Sequence, residues 1–274
     1  MSKGQEANIH IRVASYNIGD FSTASDRSGD GIPKGNGTEV TKAEYIAAFK
    51  KIGADLWGLQ EDSPCFCGTT EESPYDAIYS KIHPFYKRHF TGTYNGKAFL
   101  SSCEIKDVEA IDYPAAVTSY APQGTKGYGH KWYLRGKVEL AGKEIAIVTL
   151  HFDWACKERR AKQIETVIEF AQKQEYCLII GDFNPDDYLN GEKLSDVRTY
   201  VEDCKKFTDA GFVGANAGDF GVFSTIMKGG KPREENYPCD NIFVTPNIKI
   251  LNAEAVYEPW MDDHAILVAD IEIH

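Results

Sequence analysis

Apolar and polar positions along the chain switch repeatedly between a period of two and a period near 3.6, the signatures of strands and amphipathic helices. In "NIHIRVASYNI", Ile9, Ile11 and Val13 alternate with polar neighbours, as in a strand entering a core. A Gly- and Asp-rich loop follows. "TKAEYIAAFKKIGA" then opens with Thr41 and Glu44 at capping-box spacing and keeps helical periodicity to Gly53. "DLWGLQED" reads as a short buried strand, and "SPYDAIYSKI" as a helix with Ser73 as cap and Pro74 at its first position. "KAFLSS", "KWYLRGKVEL" and "KEIAIVTLHF" are strand-like, the last two joined by a turn at "AGK". "KERRAKQIETVIEFAQKQ" puts Ile164, Val167, Ile168 and Ala171 on one helical face. "YCLIIGDFN" is a strand, "KLSDVRTYVEDCKKF" a helix, and "DNIFV", "IKILNAEAV" and "AILVADIEI" are strands.

The succession strand, helix, strand, then further strands occurs twice. Two such halves predict one α/β domain over residues 1–274, a four-layer α/β sandwich of two packed mixed sheets with helices outside. No solenoid period and no Pro/Gly-rich linker divides the chain.

Composition changes this picture only at the margins. A content of 42% hydrophobic and 26% charged residues suits a folded soluble protein. The net charge of -11 disfavours tight non-specific nucleic-acid binding through a basic surface. It leaves room for a phosphate substrate, because a divalent cation held by acidic groups reverses the sign locally. The seven cysteines, at 65, 67, 103, 156, 177, 204 and 239, form no CxxC pair, so the redox compartment stays open. No apolar run approaches the roughly 20 residues that cross a bilayer, and "MSKGQEANIHIRV" lacks a signal-peptide core. The expectation is a soluble monomer of undecided location, with secretion after removal of a signal as one option.

The polar residues carry more information, because they recur where apolar strands end. Asn17 ends "VASYN", Glu61 ends "LWGLQE", His151 ends "IAIVTLH", and Asp182 and Asn184 end "LIIGDFN". Asp240 begins "DNIFV", and Asp263 and His264 precede "AILVADI". In α/β sheets strand ends open into the ligand crevice, so these groups are candidates for one site. Singly, each is an ordinary turn or loop residue. Together they suit phosphoester chemistry. Glu61 and Asp263 suffice to hold Mg²⁺, with Mn²⁺ as an alternative ion. Asp182 is placed to orient or deprotonate a water, and Asn184 to fix the nucleophile or a phosphoryl oxygen. His264 and His151 supply hydrogen bonds or protons, with Asp240 fixing a ring.

At these residues the sequence resembles the endonuclease/exonuclease/phosphatase superfamily. The matching blocks run in family order: "SYNI", "LQE", "GKAFLSS", "TLHFD", "GDFN", "CDNIFV" and "DDHAIL". The resemblance implies the four-layer sandwich and metal-dependent cleavage of a phosphoester, usually with Mg²⁺. It implies Asn17 and Glu61 on the metal side with Asp263 nearby, and Asp182 and Asn184 as the activating and orienting pair. His264 matches the family's essential His with Asp240 as its carboxylate, and His151 the His of the deoxyribonuclease I, sphingomyelinase and 5-phosphatase branches. The chain departs from the pattern at Asp262, where the family usually has Ser, and at Gly19, where a carboxylate is common. Trp260, in a Pro-containing loop, is a candidate for stacking on substrate, with Trp132 and Trp154 also near the blocks. His130, Lys131 and Arg135 are the candidates for a phosphate contact.

The expected activity is therefore a metal-dependent phosphoesterase that uses water to hydrolyse a phosphodiester or phosphomonoester. Nuclease and small-molecule or inositol phosphatase types remain open. The alternatives are a non-catalytic phosphate-recognising module on the same fold, or a lipid phosphodiesterase.

Overall fold

The computed structural model describes residues 9–19, 31–33, 39–62, 74–90, 96–118, 132–140, 142–154, 156–189, 192–195, 197–228, 231–232, 237–258 and 263–274. The first third contains β1 (Ile9–Asn17), β2 (Gly31–Pro33), β3 (Glu39–Thr41), α1 (Lys42–Ile52), β4 (Leu56–Gln60) and α2 (Pro74–Ile82). Next come β5 (Phe85–Phe90), β6 (Gly96–Ser101), β7 (Ile105–Asp112), α3 (Ala115–Thr118), β8 (Trp132–Leu140), β9 (Lys143–His151) and α4 (Lys157–Ala171). Then follow β10 (Cys177–Asp182), β11 (Asp186–Leu189), β12 (Glu192–Ser195), α5 (Val197–Asp209), β13 (Val213–Gly214), β14 (Met227–Lys228) and β15 (Lys231–Pro232). The chain closes with β16 (Asp240–Val244), β17 (Ile248–Val256) and β18 (Ile266–Ile273).

Two six-stranded sheets result, ordered β17-β18-β1-β4-β6-β5 and β13-β16-β10-β9-β8-β7, beside three two-stranded ribbons. Each sheet has one parallel pair at its centre, β1 with β4 and β9 with β10. The remaining strand pairs are antiparallel. The sheets bury their inner faces against each other through Ile11, Val13, Leu56, Leu134, Ile145, Ile147, Leu178, Ile180 and Ile242. Outside the first sheet, Tyr45, Phe49 and Ile52 of α1 and Ile78 and Tyr79 of α2 cover Tyr16, Trp57 and Leu59. Outside the second, Ile164 and Val167 of α4 and Tyr200 and Phe207 of α5 cover Val148, Leu150, Ile179 and Phe243. This is the four-layer sandwich that the doubled strand–helix pattern predicts.

Several elements depart from the sequence reading. β5 ("FYKRHF") and β7 ("IKDVEAID") lie outside its predicted strands. Both are edge strands, and charge along an edge discourages pairing with other chains while hiding the alternation of a strand. Asp186 and Asp187 start β11, and "KLS" belongs to β12 rather than to α5. In α4 the buried face includes Arg159, Arg160 and Gln163, and Ile168 is only partly buried. The reason is an internal ion-pair network: Arg160 Nε binds Asp203 of α5 at 2.6 Å, and Arg159 binds Asp153. Gln163 accepts the Asp153 amide at 2.8 Å, so the segment after β9 is fixed.

The distance between the sheets is set at Gly58, in the middle of β4. A Cβ there would lie 2.6 Å from Cγ2 and 2.9 Å from Cβ of Ile180 on β10. Two residues on, Gln60 Nε2 donates to Thr149 Oγ1 of β9 at 2.9 Å, a buried bond from sheet to sheet. Gly58→Ala is expected to destabilise the fold by about 1–3 kcal/mol through overpacking. Ile180→Ala in the same chain is expected to recover part of that loss. Urea unfolding of both single variants and the double variant measures the coupling, and strictly additive losses would contradict this packing.

Candidate active site

Along the inner face of each central strand, apolar residues give way to polar ones at the same rim. The series are Ile11, Val13, Ser15, Asn17 on β1; Leu56, Gly58, Gln60 on β4; Ile145, Ile147, Thr149, His151 on β9; and Leu178, Ile180, Asp182 on β10. In the parallel pairs Asn17 stands opposite Gln60, and His151 opposite Asp182. Antiparallel neighbours arrive at that rim with their first residues, so Asp240 of β16 pairs with Asp182. His264, just ahead of β18, bridges Ile226 at the same end.

Glu61 follows Gln60 and by alternation should face away from this rim. Its left-handed backbone, φ 56°, turns it back. The strain is held by its neighbours: Gln60 is tied to Thr149, and the buried Asp62 carboxylate takes two 2.7 Å bonds from Arg88. Asn17 Nδ2 donates to Glu61 Oε1 at 3.2 Å and to Asp182 Oδ2 at 2.9 Å, bridging the two acids. His151 approaches both, Nε2 at 3.3 Å from Asp182 Oδ2 and Nδ1 at 3.8 Å from Glu61 Oε1. His264 Nδ1 lies 2.9 Å from Asp240 Oδ2, and its Nε2 is 3.5 Å from Asp182 Oδ2. Asp263 is exposed beside this group, its Oδ2 3.8 Å from where a Gly19 side chain would begin.

The "GDFN" block resolves residue by residue. A side chain at Gly181 would strike the Leu150 carbonyl, so only glycine lets β10 lie this close to β9. Phe183 turns to the helix side against Phe152, Phe207 and Phe243. Asn184, at φ 41°, donates its backbone N–H to Asp182 Oδ1 at 2.9 Å and its amide to the Phe152 carbonyl at 3.0 Å.

The structure thus brings Asn17, Glu61, His151, Asp182, Asn184, Asp240, Asp263 and His264 to one rim. It does not bring Arg135 there. Arg135 bonds Glu109 and lies 5.2 Å from the Phe170 ring on the helix side of the second sheet. Its place in the sequence, three residues after Trp132, hid that alternation sends the two side chains to opposite faces. Trp132 itself is buried, with Lys97 Nζ 3.9 Å from its ring centroid. Trp154 is half-buried. Trp260, His130, Lys131, Asp262 and Asp20 lie outside the described residues, as do Cys65 and Cys67.

Three residues beside the rim are not among the candidates that the sequence pattern singles out. Thr225 Oγ1 accepts the backbone N–H of Cys239 (2.9 Å) and Asp240 (3.0 Å), and its carbonyl accepts Ala265 N–H (2.7 Å), so it aligns Asp240 with His264. Cys239 Sγ donates to Asp182 Oδ1 at 2.9 Å. Lys97, fully buried in β6 opposite Gln60, has its ammonium lowered to about 7 by burial, against the pull of Glu61. A lysine inside "GKAFLSS" gives no such signal from its neighbours in sequence.

The site is rich in negative charge. Burial, then Asp263 and Asp182, push the Glu61 carboxyl up to about 7, against His264 and the Asn17 bond. Burial and Asp240 raise Asp182 to about 6, against His264, Cys239 and Asn17. Burial disfavours the His264 imidazolium, but Asp240, Asp182 and Asp263 together outweigh it and hold the ring protonated well above its ordinary range. For Glu61 the folded state keeps a proton that the unfolded chain has lost, so stability falls as pH rises from about 4.5 to about 7. Glu61→Gln in EDTA is expected to raise the melting temperature at pH 8, by an amount equivalent to at most about 3 kcal/mol, and to leave it unchanged at pH 4. A variant less stable than the parent at pH 8 would refute this.

No family model matches the sequence, and no curated protein does. Solved structures do match across nearly the whole chain. An endonuclease/exonuclease/phosphatase protein of Beutenbergia cavernae superposes with a TM-score of 0.68 at 16% identity, covering 96% of this chain and 72% of its own. One from Bacteroides vulgatus gives 0.64 at 18%, covering 97% and 100%. D. rerio TDP2, solved with a single-strand DNA product, gives 0.62 at 14%, covering 96% and 98%. The two packed six-stranded sheets with flanking helices are the fold of the endonuclease/exonuclease/phosphatase proteins.

Proposed function

We propose that the protein is a metal-dependent phosphoesterase that directs water at the phosphorus of a phosphodiester or phosphomonoester. One observation carries this reading: four carboxyl groups, Asp182, Asp240, Glu61 and Asp263, crowd around His264, with Asp182 and Glu61 raised well above the usual carboxylate range. Such crowding is costly unless a cation and a phosphoryl group share the charge. The oxygen donors Glu61 and Asp263, with Asn17 beside them, suit a hard divalent ion such as Mg²⁺ or Mn²⁺. When bound, that ion supplies charge neutralisation at the leaving oxygen.

The chain's own residues supply the rest. Asp182, held by Asn17 and by the backbone N–H of Asn184, takes the proton of the attacking water. Asn184, fixed in a left-handed turn, orients that water or a phosphoryl oxygen. His264, oriented through Nδ1 by Asp240, presents Nε2–H to a non-bridging oxygen. His151 Nε2, 3.3 Å from Asp182 Oδ2, offers a second contact. The net charge of -11 favours a compact phosphoester over a long polyanion, although the likeness to TDP2 keeps single-stranded nucleic acid among substrates worth screening.

Asp182→Asn is expected to lower kcat on bis-p-nitrophenyl phosphate by about 10²–10⁴-fold with the fold intact, and His264→Ala to do the same. Asp240→Asn, acting through ring orientation, is expected to cost less. EDTA should abolish turnover and Mg²⁺ or Mn²⁺ restore it. Full turnover by Asp182→Asn, or indifference to EDTA, would rule the mechanism out.

A further inference from the structure

Cys239 touches the Asp182 carboxylate, yet its thiol is not a group that takes part in phosphoester hydrolysis. It is buried, and its backbone is pinned on both sides: its N–H goes to Thr225 Oγ1 and its carbonyl accepts Phe183 N–H at 2.8 Å. The thiol therefore stays on Asp182 Oδ1 at 2.9 Å. The sulfur, a carboxylate oxygen of Asp182 and a ring nitrogen of His264 all lie within 4.8 Å of one another. Bonds of about 2.3 Å to sulfur and about 2.0–2.1 Å to nitrogen and oxygen place tetrahedral zinc donors roughly 3.3–3.6 Å apart. Two printed separations bracket that spacing, 2.9 Å from Cys239 Sγ to Asp182 Oδ1 and 3.5 Å from His264 Nε2 to Asp182 Oδ2.

The surroundings fit as well. A zinc-binding imidazole uses one nitrogen for the metal and gives the other N–H to a carboxylate, which fixes its tautomer. Asp240 Oδ2 stands 2.9 Å from His264 Nδ1 in that role. Thiolate and imidazole select thiophilic ions over Mg²⁺, whereas Glu61 and Asp263 offer only oxygen.

We propose that Cys239, Asp182 and His264 form a second cation site, specific for a thiophilic divalent ion such as Zn²⁺ or Cd²⁺, and that its occupation switches the enzyme off. Binding sends the thiol proton and the Nε2 proton of the His264 imidazolium to solvent, forms bonds from sulfur, nitrogen and one Asp182 oxygen, and leaves a fourth position to water. Inhibition follows because coordination to the cation lowers the basicity of the Asp182 carboxylate and His264 loses the N–H that faces the phosphoryl oxygen. The site stands on the donor geometry alone, and only the inhibition rests on the phosphoesterase reading.

Co²⁺ is the probe. One equivalent added to the metal-free full chain is expected to give a thiolate-to-cobalt charge-transfer band in the near ultraviolet, bleached by Zn²⁺. Cys239→Ser should lose the band, and His264→Ala should weaken cobalt binding at least tenfold. The Cys65→Ser/Cys67→Ser double variant should keep the band. With saturating Mg²⁺, Zn²⁺ should inhibit the parent chain at least tenfold more strongly than Cys239→Ser. No band in the parent chain, or an undiminished band in both Cys239→Ser and His264→Ala, overturns the site. A normal band in a chain that hydrolyses no phosphoester leaves the site standing and removes the phosphoesterase reading instead.

Discussion

The close approach of the two sheets at Gly58 is the constraint on which the rest depends. With only hydrogen facing Ile180, β4 lies close enough to β9 and β10 for Gln60 to reach Thr149 across the interface. That contact fixes the height of one parallel pair against the other. Asn17, Glu61, His151 and Asp182 then end at a common rim, although they come from both sheets and from positions up to 165 residues apart. A larger spacing would split the site between the sheets.

Above that contact the structure trades stability for charge. Buried carboxyls repel each other and resist ionisation, and the His264 imidazolium and the bridging Asn17 amide offset this only in part. Rigid supports hold the groups in place nonetheless. Arg88 clamps Asp62 beside the strained Glu61, the Arg159–Asp153 and Arg160–Asp203 pairs fix the chain after His151, and Thr225 ties Asp240 to the segment carrying His264. Asp62 follows Glu61, Asp153 stands two residues after His151, and Thr225 bonds Asp240 and Ala265, the neighbour of His264. Pre-organisation of this kind keeps the electrostatic stress from relaxing into a different loop conformation.

The same packing explains how one chain presents two donor chemistries side by side. Carboxyl oxygens gather on the first-sheet side, from Glu61 and Asp263. On the second-sheet side, Cys239 enters only because the residue before β16 must lie against Asp182, its neighbour across the ladder at Asp240.

Much of the fold was legible in the sequence, because strand and helix periods are local. β1, α1, β4, α2, β8, β9, α4, β10, β16, β17 and β18 follow from alternation, caps and glycine stops. The edge strands β5 and β7 were not, since charges placed to protect an edge erase the pattern that marks a strand. The polar strand ends named the site's members, for a charged or amide group closing an apolar run is visible in one dimension. What they could not tell was direction. Whether Arg135 faces the cleft or the helices depends on which of two apolar faces meets the other sheet, and only packing decides that. Glu61 reaches the cleft through a left-handed backbone held by partners distant in sequence, and Cys239, Lys97 and Thr225 acquire their roles only from neighbours across the fold. Hydrophobic period is a property of adjacent residues, so the sequence determined the elements and the polar groups at their ends. Convergence, burial and the resulting proton affinities are properties of distances between chain segments, and these the tertiary structure alone decided.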